Sequence, residues 1–365
     1  MVKKKSEEIE NFLSEANDII NKEEKITYSL DQPENNPTEV KTYISTGSTL
    51  LDYAIANKRN GGIAVSKLAE ITGTEASGKS LLASHIAANA QKVGAVVFYA
   101  DTENSISPEF MRRLGVDLKK ISYFQPPSLE RFFKKTEEII AFSRERLSKD
   151  VPIVVILDSL AATPIEDEIE GTYNPKELMG VRAKAISLAL RKLTQVIGYE
   201  RVTLILINQL RMKMNLANPY QDPYVAPGGM GIPFHASVRI RLKSKAKIKS
   251  ASGDVIGVEC NAKIVKNRLG PPFREANFSV MFDYGIDNLQ SIYEFLKAKE
   301  EIKKDKAGMS TLGTQQFKTA EWRQFYNANK QTVEDLLEKL LTVRYTENDV
   351  NSDSVTTERD PEMES

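Results

Sequence analysis

From Ile44 onward the chain alternates between two kinds of hydrophobic pattern. Short unbroken apolar runs, rich in Val and Ile, predict strands at Leu68–Thr72, Val96–Asp101, Ile121–Gln125, Ile153–Asp158 and Val202–Asn208. Between them, apolar positions at helical spacing predict helices over Leu81–Ala90 and Val181–Ile197. Runs without polar alternation belong to strands covered on both faces, and strands that alternate with helices form a parallel, doubly wound sheet. Such a sheet binds ligands beyond the carboxyl ends of its strands. Those ends carry polar residues here: Asp101 with Glu103, Asp158 with Ser159, and Asn208 with Gln209.

Outside this core the pattern changes. Residues 6–22 place Ile9, Phe12, Leu13, Ala16, Ile19 and Ile20 on one helical stripe. A short strand-like run, Ile26–Leu30, follows, and then a Pro- and Asn-rich linker, residues 31–37. A helix and strand on a tether dock either on their own core or on a neighbour's; the second case polymerises the chain head to tail. The expected division is a residue 1–40 assembly element, a 41–289 core, a small α-rich domain at 290–342 with Trp322 and Leu336, Leu337, Leu340 and Leu341, and a tail from 343 to 365.

The turn between the first predicted strand and its helix, Gly73-Thr74-Glu75-Ala76-Ser77-Gly78-Lys79-Ser80, matches G-x-x-x-x-G-K-[ST]. Its glycines let successive backbone N–H groups converge on a phosphate, and the helix after it, opening at Leu81, adds a positive dipole end. Lys79 is placed to reach the β- and γ-phosphates, and the Ser80 hydroxyl to hold Mg²⁺. A Gly-rich connecting turn is the plain alternative, but the strand before and helix after favour a nucleoside triphosphate site. Asp158 reads as a helix cap or as the carboxylate on the Mg²⁺ side, Glu103 as a surface acid or as the group that orients the attacking water, and Gln209 as a structural amide or a γ-phosphate sensor.

Composition narrows the class. With 365 residues, 41% hydrophobic and 27% charged, the chain has room for a large core and a smaller domain. No apolar run approaches the roughly 18 residues of a membrane span, so a cytoplasmic location is expected, in the host if the gene is a phage's. The single cysteine, Cys260, excludes an internal disulfide and reads as a small buried residue. Fifty basic and fifty acidic residues cancel, but the last twenty residues hold seven acids against Arg359, which leaves the body basic. Such a tail solubilises, or competes with an anionic ligand for that basic surface. Arg239, Arg241, Lys243, Lys245, Lys247 and Lys249 alternate with Ile240, Leu242, Ser244, Ala246 and Ile248, which predicts six cations along one face of a strand.

Nine ordered blocks then carry a resemblance: Ile44-Ser45-Thr46-Gly47-Ser48; Gly73 to Ser80; Asp101-Thr102-Glu103; Pro108 with Leu114-Gly115-Val116; Asp158-Ser159-Leu160-Ala161-Ala162; Ile169-Glu170-Gly171; Ile207-Asn208-Gln209-Leu210-Arg211-Met212-Lys213; Ala236-Ser237-Val238-Arg239; and Val265-Lys266-Asn267-Arg268. Along about residues 25–290 the chain resembles the bacterial and bacteriophage RecA-type recombinases, among which the UvsX-like proteins are also possible. The resemblance implies a RecA-type P-loop ATPase core with ATP and Mg²⁺ as cofactors. It also implies a helical homo-oligomer on single-stranded DNA that pairs with homologous duplex, with a single-strand binding protein and a loader as further candidate partners.

By position, Glu103 resembles the catalytic carboxylate, Gln209 the γ-phosphate sensor, and Lys266 and Arg268 the cations that reach a neighbour's ATP. Residues 73–81 with Ser107, Phe110, Asp158 and Phe282 resemble the nucleotide-binding set; at Phe110 the bacterial pattern has Tyr. Two stretches resemble the DNA loops. The first, from about Glu166, brings in Met179, Gly180, Lys184, Ser187 and Arg191; the second brings in Arg211, Met212, Lys213, Met214, Gly228 and Gly229. Lys243 and Lys263 resemble part of a site for a second DNA. Cations there would meet phosphates rather than read bases, as indifference to sequence requires. The run Ala226-Pro227-Gly228-Gly229-Met230-Gly231 departs from the bacterial Thr-Thr-Gly-Gly-Asn pattern, which weakens one of these transfers. A ring helicase or branch-migration motor is the rival, because Lys266-Asn267-Arg268-Leu269-Gly270 is similar to an element of the RadA proteins; their four-cysteine zinc module is missing.

Overall fold

A computed structural model of the chain describes residues 2–23, 27, 39–171, 180–212 and 223–343. The predicted strand at 26–30 apart from Thr27, the linker, Met179, Lys213, Met214 and the acidic tail lie outside these residues. Two units are distinguished, residues 1–41 and 42–365. The first contains α1 (Val2–Ile20), an amphipathic helix whose Ile9, Phe12, Leu13, Ile19 and Ile20 are exposed.

The second unit begins with β1 (Tyr43–Ile44), α2 (Thr49–Ala56), β2 (Ile63–Ala64), β3 (Leu68–Gly73), α3 (Lys79–Lys92), β4 (Val96–Asp101), α4 (Pro108–Arg113), β5 (Ile121–Phe124), α5 (Leu129–Arg146) and β6 (Ile153–Asp158). It continues through α6 (Glu166–Glu170), α7 (Val181–Tyr199), β7 (Val202–Gln209), β8 (Arg211–Met212), β9 (Tyr224–Val225), α8 (Gly231–His235), β10 (Val238–Lys249), β11 (Val255–Asn267), β12 (Glu275–Met281) and β13 (Gly285–Asp287). The last stretch holds α9 (Asn288–Ala298), β14 (Ile302–Lys304), β15 (Met309–Leu312), β16 (Gln315–Lys318), α10 (Trp322–Ala328) and α11 (Lys330–Leu341). The predicted strands of the core all form, to within a residue at their ends. The three-stranded sheet β14-β15-β16 amid the C-terminal helices has no counterpart in the sequence reading, because its strands are only three or four residues long.

Nine strands make one sheet in the order β13-β12-β11-β10-β3-β7-β6-β4-β5. β10, β3, β7, β6, β4 and β5 run parallel; β11, β12 and β13 extend the sheet antiparallel. The central strands are covered on both faces, and their side chains divide by parity. Val97, Tyr99, Val154, Ile156, Ile205 and Ile207 join the core under α2, α3 and α9, whereas Ala100, Ile153, Val155, Leu157, Leu204 and Leu206 join the core under α5 and α7. Trp322, Tyr326, Val333 and Leu337 of the C-terminal helices belong to the first of these cores.

The Ser45–Ser48 segment works as a local clamp. Buried Asp52 accepts from Ser45 Oγ at 2.5 Å and from Thr46 N and Oγ1 at 2.7 Å each, while Ser48 caps α2 by accepting from Leu51 N. Burial pushes the Asp52 carboxyl up to about 6 despite these bonds.

The β10–β11 hairpin corrects one expectation. Ser244 lies opposite Cys260 and Ala246 opposite Glu259, so Lys245 is inserted between them as a bulge. One extra residue inverts the alternation: Arg239, Arg241 and Lys243 share a face, but Lys247 lies opposite Val258 on the other. Six cations therefore do not line one face. Arg239 is, moreover, committed to Glu70, with Nε 2.6 Å from a carboxylate that is 1% exposed. Arg239→Met leaves that carboxylate buried and uncompensated. Urea unfolding at neutral pH should show a loss of about 3–5 kcal/mol, and adding Glu70→Leu should recover most of it; an unchanged midpoint in the single variant refutes a structural pair.

Candidate nucleotide and DNA sites

The loop after β3 has the geometry of a phosphate cradle. Ala76 and Gly78 both take positive φ, 56° and 90°, so consecutive N–H groups turn inward before α3 begins at Lys79. At Gly73 a Cβ would lie 2.3 Å from Ser77 Oγ and 2.8 Å from the Leu242 carbonyl, so no larger residue fits. Ser77 Oγ is buried and has no hydrogen-bond partner among the described residues. Lys79 Nζ folds over the loop onto the Thr74 carbonyl at 2.8 Å; burial lowers its pKa, against the pull of Asp158, Glu103 and Glu75. Cys260 is buried against the loop: its Sγ lies 3.9 Å from the Cβ position of Gly78 and, at the same distance, meets the Ser77 carbonyl. Its thiol is raised to about 11 by burial, an inert packing residue as expected.

Three strand ends meet this loop. Asp158 closes β6 and accepts from Tyr99 Oη at 3.0 Å and from the Ser80 hydroxyl. Desolvation pushes its carboxyl up to about 6, with Glu103 and Asp101 adding repulsion. A buried acid of raised pKa beside a hydroxyl and two further carboxylates is a position short of positive charge. The residues fit a divalent cation that keeps waters and phosphate oxygens as its other ligands. No cluster of three or more His, Cys, Asp or Glu suited to a metal occurs among the described residues.

Glu103 sits just past β4 on a turn fastened to β6. Thr102 N donates to the Asp158 carbonyl at 2.7 Å, and Asp101 accepts from Glu103 N, Ile106 N and Tyr123 Oη. The Glu103 carboxylate then accepts from Ser159 Oγ at 2.5 Å and from Gln209 Nε2 at 3.0 Å. The structure thus brings together Lys79 and Ser80, picked out by the G-x-x-x-x-G-K-[ST] match, with Glu103, Asp158 and Gln209, picked out by their position at strand ends. Ser159 stands with Asp158 among the polar strand ends, but its support of Glu103 carries no sequence signal, and Tyr99 lies within an apolar run and carries none of its own. Ser107 caps α4 by accepting from Phe110 N, and Phe110 is half-buried with Arg113 5.7 Å from its ring. Arg113 pairs with Asp283 at 3.0 Å, which draws α4 to the turn carrying exposed Phe282.

Lys266 and Arg268 are elsewhere. Val238 pairs with both Ala69 and Asn267, so these cations lie at the amino-terminal end of β3, whereas the loop leaves its carboxyl end. Four or five residues of strand separate the two ends, about 13–17 Å. Lys266 Nζ donates to the carbonyls of Pro233 and Phe234, at 2.5 and 3.0 Å, and Arg268 to that of Phe234 at 2.8 Å, both on the last turn of α8. Burial, with Arg268 and Arg239 nearby, brings the Lys266 ammonium down to about 8.

The residues assigned to DNA gather around α7. Gly180 opens it, Lys184 and Arg191 are exposed, and Ser187 is half-buried. The end of the second loop packs on the same helix: a Cβ at Gly229 would lie 2.7 Å from Ala183 Cβ, and one at Gly228 3.1 Å from Ile186 Cδ1. Arg211 and Met212 are exposed on β8, which pairs with β9 across the neck of that loop. Arg191, Arg268 and Lys266 lie close enough to His235 to reinforce the lowering of its pKa by burial. Lys243 and Lys263 lie on the face that carries Arg241, with Lys263 directly opposite Arg241 across the hairpin and Lys243 exposed.

The profile described as the RecA N-terminal domain matches residues 12–287. The chain belongs to the RecA family. It is 35% identical to Protein RecA of Chloroherpeton thalassium over 267 residues, 73% of this chain and 71% of that one. It is 36% identical to Protein RecA of Wolbachia pipientis over 259 residues, 71% and 69% of the two chains, and 33% identical to that of Bifidobacterium longum over 311 residues, 85% and 74%. The RecA family assignment makes this a recombinase with a nucleotide-binding, ATPase-class core that binds DNA and self-associates. No helix among the described residues is long and apolar enough to cross a membrane.

The raised Asp158 carboxyl has a sign that can be tested in the nucleotide-free RecA-family protein. A folded-state pKa of about 6, above the ordinary aspartate value of 3.8, means that ionising Asp158 costs stability as pH rises from about 4 through 6, with the cost constant above that. Asp158→Asn should therefore be more stable than wild type at pH 7, by up to about 3 kcal/mol, and the difference should shrink toward pH 4. Thermal unfolding of both proteins across that range measures it; a gap that does not change with pH refutes the assignment. Asp52 titrates in both proteins and so cancels.

Proposed function

We propose that the protein is an ATP- and Mg²⁺-dependent recombinase whose hydrolysis is switched on by single-stranded DNA within a helical filament, and that the filament pairs its strand with homologous duplex. The observation that carries this reading is the direct hydrogen bond from Gln209 to Glu103. On one side of that bond stands the carboxylate suited to orient an attacking water; on the other stands the residue that leads, through β7 and β8, into the second DNA loop.

In this mechanism the inward-turned amides of residues 74–78 and Lys79 hold the triphosphate, and Ser80 and Asp158 hold the cation. Bound there, Mg²⁺ would supply neutralisation of the phosphate charge that develops in transfer. Glu103 aligns the water and takes its proton, while Ser159 donates to Oε1, the same carboxylate oxygen that Gln209 holds, and keeps the carboxylate in place. Gln209 has a choice of partners: with no γ-phosphate it holds Glu103, and with one it can donate to the phosphate and release Glu103 to the water. Phe110 and Phe282 offer an aromatic pocket for the base. Lys266 and Arg268 stand too far from their own loop to serve it, which supports their acting on a neighbour's γ-phosphate as an arginine finger does. Lys184, Arg191 and Arg211 suit the phosphates of the bound strand, and Lys243 with Lys263 those of an incoming duplex. A cytoplasmic setting and accessory partners that clear or load the strand accord with this role.

Glu103→Gln should bind ATP and DNA as wild type does while its DNA-stimulated turnover falls about 10²–10⁴-fold. A steady-state ATPase assay checks it, and undiminished turnover rejects the assignment. Mixing is the sharper test of the junction. Lys79→Ala protein keeps its cations and Lys266→Ala/Arg268→Ala protein keeps its loop, so each alone should be inactive, and together they should recover hydrolysis where an intact loop meets intact cations. No recovery in the mixture, with filaments visible by electron microscopy, removes the shared site.

A further inference from the structure

Adjacent side chains on β7 serve opposite faces of the sheet. Gln209 has the parity of Ile205 and Ile207 and points to the nucleotide side, whereas Asn208 has the parity of Leu204 and Leu206 and points to the side of α7. Asn208 is fully buried, and its amide is fully used. Its Nδ2 donates to the Pro227 carbonyl at 2.8 Å and to Glu70 Oε1 at 3.2 Å, and its Oδ1 accepts from the backbone N–H of Gln209 at 3.0 Å. Pro227 immediately precedes the glycines that seat the end of the second loop on α7. Glu70 in turn holds Arg239, which lies opposite Lys266 in the β10–β11 register.

We infer that Asn208 is a positioning residue that ties the end of the second DNA loop to the orientation of Gln209, and so carries strand occupancy into hydrolysis. A loop that moves when it takes up a strand must drag the Pro227 carbonyl, and the amide that follows it pivots against the fixed Glu70–Arg239 pair. Because the same amide caps Gln209 N, the pivot reaches the side chain that, alongside Ser159, donates to Glu103. Buried amides with every donor and acceptor engaged hold a single geometry, since an unpaired group there is costly. Loss of the Pro227 bond on strand uptake would give this element a second arrangement, as coupling between sites demands.

The inference rests on the proposed DNA-dependent hydrolysis, and the test separates the two. Asn208→Ala and Asn208→Ser are compared with wild type for ATPase rate without DNA, ATPase rate at saturating single-stranded DNA, DNA affinity with a slowly hydrolysed ATP analogue, and thermal unfolding. If wild type is not stimulated by DNA, the underlying reading fails. If it is, the variants should keep their DNA-free rate and DNA affinity while the stimulation ratio falls about tenfold, within the usual range of coupling between sites. A wild-type ratio in either folded variant overturns the inference. So does an equal fall in both rates, or failure of both variants to fold, since each outcome marks Asn208 as a structural residue alone.

Discussion

A strand covered on both faces must send each successive side chain into a different environment, and that constraint organises the whole molecule. In β3, β4, β6 and β7 one parity supplies the core beneath α3 and the other the core beneath α5 and α7. At the carboxyl ends, where apolar packing gives way to polar groups, the same alternation continues with different chemistry. Tyr99 and Asp158 share the α3 face and meet there at 3.0 Å. On β7 the step from one face to the other is a single peptide. On the proposed reading, a site for nucleotide and a surface for DNA are therefore as close as two neighbouring residues can be, without any long-range device between them.

The second theme is unbalanced charge in buried places. Glu70 is buried but matched by Arg239, so it is a structural pair. Asp158 is buried with only hydroxyls as partners, so its carboxyl resists ionisation. The contrast separates a residue that completes the fold from one that awaits a ligand. Lys266 falls in the second group: it donates to two neutral carbonyls, and its charge is held down by burial and by two arginines. An anion brought to it would relieve that repulsion.

What was legible in the sequence follows from the same constraint. Continuous runs such as Ile153–Asp158 announce two-sided burial, and because they are parallel their polar ends fall at one edge. Hence Glu103, Asp158 and Gln209 could be gathered from position, and Lys79 and Ser80 from the glycine-rich motif between a strand and a helix. The antiparallel half was not legible to the same degree. Its strands are half-covered, and the bulge at Lys245 reverses a period-two pattern that looked unbroken from Arg239 to Lys249. Hydroxyl supports such as Ser159 to Glu103 depend on how the 101–103 turn is fastened across β6, a tertiary fact with no local signature. The two-faced role of β7 needed the register of three strands and the path of the second loop.

Consider finally what an isolated chain lacks. Its phosphate loop faces Glu103, Asp158 and Gln209, which supply two negative charges and an amide, with Lys79 as the cation of that set. A triphosphate with its metal still needs positive charge on the γ-phosphate as the bond to it loosens. Lys266 and Arg268 are cations of the right kind at the wrong end of the sheet, held to the α8 carbonyls just past the glycines of the second loop. On the proposed reading, leaving those carbonyls for a neighbour's phosphate would also free the turn on which the loop ends. Assembly, nucleotide and DNA would then be linked through α8 as well as through β7, and a monomer would hydrolyse slowly because its own geometry withholds the charge that the reaction requires.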